Sequence, residues 1–167
     1  YPFELSGGMT RRIMNATALM GHPRLVIADE PTPGLHISVA RRAMEHFREL
    51  ADMGAGVLLI THDLELAVET ADRIAVFYAG STLEEVPALA FQSCDTLHHP
   101  YSRALWNAMP KHGFQPIPGT QPYAREMPQG CPFGPRCPKY TQECSEKIPW
   151  CQIGDGRVRC IHAEEAQ

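Results

Sequence analysis

Two short apolar runs that each stop at polar residues constrain this chain more than any other feature. Leu25-Val26-Ile27-Ala28 runs into Asp29-Glu30, and Val57-Leu58-Leu59-Ile60 runs into Thr61-His62-Asp63. Such runs read as fully buried parallel strands. Between them, residues 39–53 have helical spacing, with Ala43, Phe47 and Leu50 on one face and Arg41, Arg42, Glu45 and Arg48 largely off it. Gly54-Ala55-Gly56 ends that helix. Strand–helix alternation of this kind predicts an α/β fold with a mainly parallel sheet. Polar residues at the carboxyl ends of its strands stand where such sheets bind ligands.

The neighbouring segments extend the pattern. Ser6-Gly7-Gly8 opens an amphipathic helix from Met9 to Met20, stopped by Gly21-His22-Pro23. A further helix runs to about Ala71, and residues 73–78 and 81–86 form two strands around Ala79-Gly80. Beyond Gln92 the composition shifts. All six cysteines and all three lysines lie there, and proline thickens after Pro100. That shift divides the chain into an α/β body, residues 1–86, and a loop-rich extension, residues 87–167.

Composition narrows the class. With 44% hydrophobic and 20% charged residues, the 167-residue chain fits a soluble globular protein and not a disordered one. A net charge of −4 argues against a nucleic-acid partner. No apolar stretch approaches the ~20 residues of a membrane span, and no secretory signal is visible. Beginning at Tyr1, with a motif in its first residues, the chain reads as a fragment.

Three elements carry chemistry. Leu5-Ser6-Gly7-Gly8-Met9 heads a helix, where glycines admit an anion to unpaired N–H groups and Ser6 adds a hydroxyl. Asp29 can hold hydrated Mg²⁺, and the adjacent Glu30 can orient or deprotonate a water. His62 can donate to a transferring phosphoryl group and hold the water-positioning acid. Taken singly, these are also an ordinary N-cap, a polar strand end and a structural histidine.

In this order and at these intervals the three resemble the ABC ATPases over about the first 86 residues. The resemblance implies the C-terminal part of a RecA-like P-loop NTPase domain, with Leu5–Met9 as signature motif, Asp29-Glu30 ending the Walker B strand and His62 as switch histidine. Ser6, Gly7 and Gly8 would contact ATP held by a partner subunit; Asp29, Glu30 and His62 would serve the chain's own nucleotide. Two departures stand out. The family's loop after the Walker B glutamate ends Leu-Asp, whereas Leu35 is followed by His36. No G-x-x-x-x-G-K-[ST] occurs, so the resemblance implies that this chain is inactive alone.

The extension resembles a narrower group. His99-Pro100-Tyr101-Ser102-Arg103-Ala104-Leu105, Ile117-Pro118-Gly119 and Cys131-Pro132-Phe133-Gly134-Pro135-Arg136-Cys137 are similar to the C-terminal extension of oligopeptide, dipeptide and nickel transporter ATPases. Cys131-x5-Cys137-x6-Cys144-x15-Cys160 places four thiols in a segment with little apolar core, a pattern that in a cytosolic protein points to metal. The resemblance implies a [4Fe–4S] cluster; structural Zn²⁺ is the rival. Cys94 and Cys151 fall outside the pattern, and His162 is a spare ligand or a surface residue.

The function implied is an ATP-hydrolysing subunit of a peptide or nickel importer, peripheral on the cytoplasmic face of the membrane. Its partners would be a second ABC ATPase subunit, membrane permease subunits and, indirectly, an external substrate-binding protein. The alternative is a non-catalytic regulatory or assembly module with a metal-binding tail.

Overall fold

A computed structural model describes residues 1–21 and 23–163 and divides the chain into two compact units, Tyr1–Ala71 and Asp72–Gln167. The first contains α1 (Gly7–Leu19), β1 (Leu25–Asp29), α2 (Ile37–Asp52), β2 (Gly56–Ile60) and α3 (Leu64–Thr70). Strands β1 and β2 pair in parallel, Leu25 opposite Gly56 and Asp29 opposite Ile60. Side chains alternate across a strand, so Val26, Ala28, Val57 and Leu59 face one way and pack with Met44, Phe47 and Leu66. Helix α2 buries Ala40, Met44 and Phe47, with Ala43 and Leu50 half-buried beside them.

The opposite sheet face departs from the expectation of full burial. Ile27 is 62% and Leu58 52% exposed, and Leu25 and Ile60 are exposed with them. Among the described residues of this unit the helices cover one face only, so half of each apolar run meets no partner. Parallel pairing is likewise confined to β1 and β2 among the described strands. On α1, Met9, Ile13 and Met14 are exposed, as is Met20 just past its end.

The second unit begins with β3 (Arg73–Tyr78) and β4 (Ser81–Pro87), a hairpin whose turn residues Ala79 and Gly80 both have positive φ, 46° and 79°. That is the type I′ arrangement suited to strand twist. After α4 (Pro100–Asn107) the chain returns as β5 (Cys151–Ile153) and β6 (Gly156–Val158), giving an antiparallel sheet in the order β3-β4-β6-β5. The hairpin therefore belongs with the extension. The units divide after Ala71, ahead of the boundary at residue 86 drawn from composition.

Strand β4 carries a bulge: Val76 pairs with Glu84 but Phe77 with Thr82, leaving Leu83 as the extra residue. Consecutive residues Leu83 and Glu84 are both buried as a result. Leu83 joins Tyr78 and Phe133 in a core completed by Tyr101 and Ile117. Tyr101 and Tyr78 flank the Phe133 ring at 5.2 and 5.5 Å, separations typical of favourable aromatic pairs. Arg136 closes this core, donating to the carbonyls of Ile117 and Pro118 and to the Tyr78 hydroxyl. The extension thus has more apolar core than its sequence suggests, although Tyr140 and Trp150 remain exposed.

Gly130 lies against the backbone of the cysteine segment. A methyl group there would sit 2.0 Å from the Cys144 carbonyl oxygen and 2.6 Å from the Ser145 carbonyl carbon. Gly130→Ala should therefore cost about 3 kcal/mol, the upper range for overpacking, and lower the Tm of the second unit by roughly 12–24 °C. Gly21→Ala, where the added carbon meets nothing within 4 Å, is the control. Calorimetric scans of both variants check this; equal melting temperatures would contradict it.

Candidate functional site

In the first unit the strand ends converge. Parallel register brings Asp29 level with Ile60, and the Glu30 N–H donates to the Ile60 carbonyl at 2.9 Å. Asp63 then caps α3 by accepting the Leu66 N–H at 3.0 Å. His62 is held between a strand end and a helix cap. Glu30 Oε1 lies 2.8 Å from His62 Nδ1 and accepts the His62 backbone N–H at 3.1 Å. Glu30 adopts φ 44°, a conformation unfavourable for a residue with a Cβ, of the kind that collects at functional sites. The bonded Glu30 carboxylate and its charge hold the His62 imidazole above its usual range, although that ring is 80% exposed. Asp29 is exposed at the end of β1.

Ser6 caps α1, its hydroxyl accepting the Met9 N–H at 3.3 Å, and Gly7 and Gly8 form the first turn. His36 caps α2, accepting the Ser38 N–H at 3.4 Å. The residue that departs from the family pattern thus takes a capping role.

In the second unit the four cysteines of the motif draw together. The Cys160 thiol is pushed up to about 11, first by burial and then by Cys131, Cys137 and Cys144 nearby. Burial likewise raises Cys131, which feels Cys137 and Cys144, and Cys137, which feels Cys144. All six pairs are in electrostatic range. Backbone N–H groups two residues onward, those of Phe133, Lys139 and His162, bond to Cys131, Cys137 and Cys160 and favour their thiolates. The other two cysteines stand apart: Cys94 has Arg103 and Asp95 as charged neighbours, and Cys151 is exposed. Among the described residues no three His, Cys, Asp or Glu side chains are arranged to hold a metal ion.

Two histidines touch this cluster. His162 Nε2 is 3.5 Å from Cys144 Sγ, and His99 Nε2 is 3.7 Å from Cys131 Sγ. Burial drives His99 down to about 4, so its ring is neutral at neutral pH. Sequence reasoning did not single out Glu84, whose wholly buried carboxyl accepts the N–H groups of His98 and His99 at 2.6 and 3.1 Å. Beside Glu85 it looks like one of two solvated strand acids, and only the bulge turns it inward.

A parallel strand pair that delivers an acid and a histidine to one edge, preceded by a glycine-headed helix, places the first unit in the ATP-binding-cassette class. The solved "Structure of ATP binding subunit of ABC transporter" agrees, with TM-score 0.50 and 29% identity over 55% of this chain and 38% of that one. Residues 84–144 match the family described as oligopeptide/dipeptide transporter, C-terminal region. Oligopeptide transport ATP-binding protein OppD of Escherichia coli (strain K12) is 40% identical, covering 95% of this chain and 48% of its own length. Dipeptide transport ATP-binding protein DppD of Haemophilus influenzae is 39% identical, covering 96% and 50%. Along nearly its whole length the chain is similar to ATP-binding subunits of oligopeptide and dipeptide ABC transporters. It spans about half the length of the curated relatives it matches. No helix among the described residues is long and apolar enough to cross a membrane.

Proposed function

We propose that these residues are the C-terminal half of an ATP-hydrolysing subunit that powers a peptide importer, with Glu30 and His62 at its catalytic centre. The observation that carries this is the 2.8 Å contact between Glu30 and His62 at adjacent strand ends. Glu30 would accept the proton of the attacking water. His62 would hold Glu30 through Nδ1 and leave Nε2 for the transferring phosphoryl group. Asp29, exposed beside them, would hold Mg²⁺, which when bound neutralises phosphate charge. Ser6, Gly7 and Gly8 would meet ATP bound by a second ABC ATPase subunit. The names of the relatives favour peptide over nickel as cargo. Membrane permease subunits and, indirectly, an external substrate-binding protein would complete the assembly on the cytoplasmic face.

In the second unit Cys131, Cys137, Cys144 and Cys160 would hold a [4Fe–4S] cluster. The convergence of their thiols and the amides aimed at three of them support this. Structural Zn²⁺ held by the same four thiolates is the rival reading, and iron, sulfide and zinc analysis separates the two. When bound, the cluster would staple the extension and supply a redox-active centre.

Residues 1–167 contain no phosphate loop, so alone they should bind Mg-ATP only weakly and not turn it over. Titration calorimetry and a phosphate-release assay on this segment test that. Micromolar binding with turnover would overturn it.

A further inference from the structure

Chemistry outside the strand-end site concentrates at His99. Its side chain is 1% exposed and packs 6.1 Å from the Phe133 ring centre. Three contacts fix it. Glu84 accepts its backbone N–H, Nδ1 accepts the Tyr101 N–H at 3.0 Å to cap α4, and Nε2 faces Cys131 Sγ at 3.7 Å. A backbone N–H can only donate, so Nδ1 carries no proton and the ring hydrogen resides on Nε2. That hydrogen faces the sulfur. His162 also reaches a thiol, but Thr141 shares its Nε2 at 3.4 Å, and nothing comparable fixes its tautomer.

We propose that His99 is a positioning residue for the cysteine centre, its Nε2–H donating a hydrogen bond to the Cys131 sulfur. The inference rests on the cluster reading given above. One imidazole then serves both the start of α4 and a ligand of the cluster. Burial on Phe133 and the tie to Glu84 hold the donor in place before any cluster binds. A donor on a ligand sulfur draws off negative charge and favours the reduced cluster, so its loss should lower the reduction potential.

Two variants of the full chain separate this role from the cap. His99→Asn keeps a good capping acceptor for the Tyr101 N–H, but is too short to reach Cys131. His99→Gln carries an amide donor out to about the position of Nε2. Each protein is purified anaerobically, assayed for iron and sulfide, and titrated with redox mediators while absorbance and EPR follow the cluster. We expect all three to hold iron and sulfide and His99→Gln to keep a near wild-type midpoint. In His99→Asn the reduced-to-oxidised ratio at fixed potential should fall about tenfold, a shift of about 59 mV for a one-electron couple. An unchanged midpoint in a fully loaded His99→Asn overturns the hydrogen bond and leaves the cluster standing. Wild-type protein without iron and sulfide overturns the cluster and this inference with it. Should His99→Asn take up no iron, pulsed EPR of ¹⁵N-histidine-labelled protein carrying His162→Ala decides: a nitrogen coupled to the reduced cluster supports the bond, and its absence overturns it.

Discussion

In a subunit that includes the phosphate loop, Glu30→Gln lowers ATP turnover by about 10²–10⁴-fold, the range for loss of a general base, with Mg-ATP binding nearly unchanged. Gln is isosteric and can still bond His62, so geometry survives while the proton acceptor is removed. His62→Ala should cost a comparable factor, because it removes the side-chain bond that orients Glu30 and the donor on the phosphoryl side. The double variant should lose little more than either single one, as groups acting as a unit are not additive. Steady-state phosphate release at saturating Mg-ATP measures all three; Glu30→Gln within threefold of the parent would remove Glu30 from the mechanism.

The same variant has a signature independent of turnover. The Glu30 carboxylate raises the His62 pKa, so the neutral amide of Glu30→Gln should let it fall back toward its usual value. The sign follows from the linkage. With the folded pKa raised, the pair's contribution is full below about pH 6.5, where a free imidazole titrates. It fades as pH rises through the raised value. NMR titration of His62 in both proteins checks the direction, and an unmoved midpoint would show that Glu30 does not govern the ring.

The second large effect is loss of the cluster. Anaerobically purified protein should contain about four iron and four sulfide per chain, as a [4Fe–4S] centre requires. Serine at Cys131, Cys137, Cys144 or Cys160 should deplete both, whereas Cys94→Ser and Cys151→Ser should not. Stripping the metal should loosen residues 128–163, since metal-binding free energy is folding free energy in such segments. The packing of Tyr78, Leu83 and Tyr101 should survive, since these lie outside that segment, whereas Phe133, which shares their core with Cys131 and Cys137, should loosen with it. Hydrogen exchange of apo and loaded protein distinguishes a local loosening from collapse of the whole unit. Stoichiometric zinc without sulfide would replace the cluster by a structural zinc site, and protein without metal would end both readings.

Local signals sufficed for much of this. Apolar runs at Leu25–Ala28 and Val57–Ile60, the helical spacing between them, and Asp29, Glu30 and His62 at the strand ends were legible because strand and helix periods are short-range properties of the chain. So was the grouping of Cys131, Cys137, Cys144 and Cys160 apart from Cys94 and Cys151. Other features depended on contacts across long sequence separations. Whether an apolar strand is covered on one face or both depends on which elements dock there, so the exposure of Ile27 and Leu58 left no mark in their own run. The β3–β4 hairpin joined the extension because Glu84 and Glu85 pair with Val158 and Arg157, more than seventy residues away in the chain. Glu84 and His99 acquired their roles in the same way. A one-residue bulge turns the Glu84 carboxyl inward, and folding of the cysteine segment onto α4 brings Cys131 to an imidazole thirty-two positions earlier. Sequence alone placed Asp29, Glu30 and His62 at strand ends and spaced the four thiols of the motif; the tertiary structure decided which side chains are held together, because burial and hydrogen-bond partners belong to the packed chain.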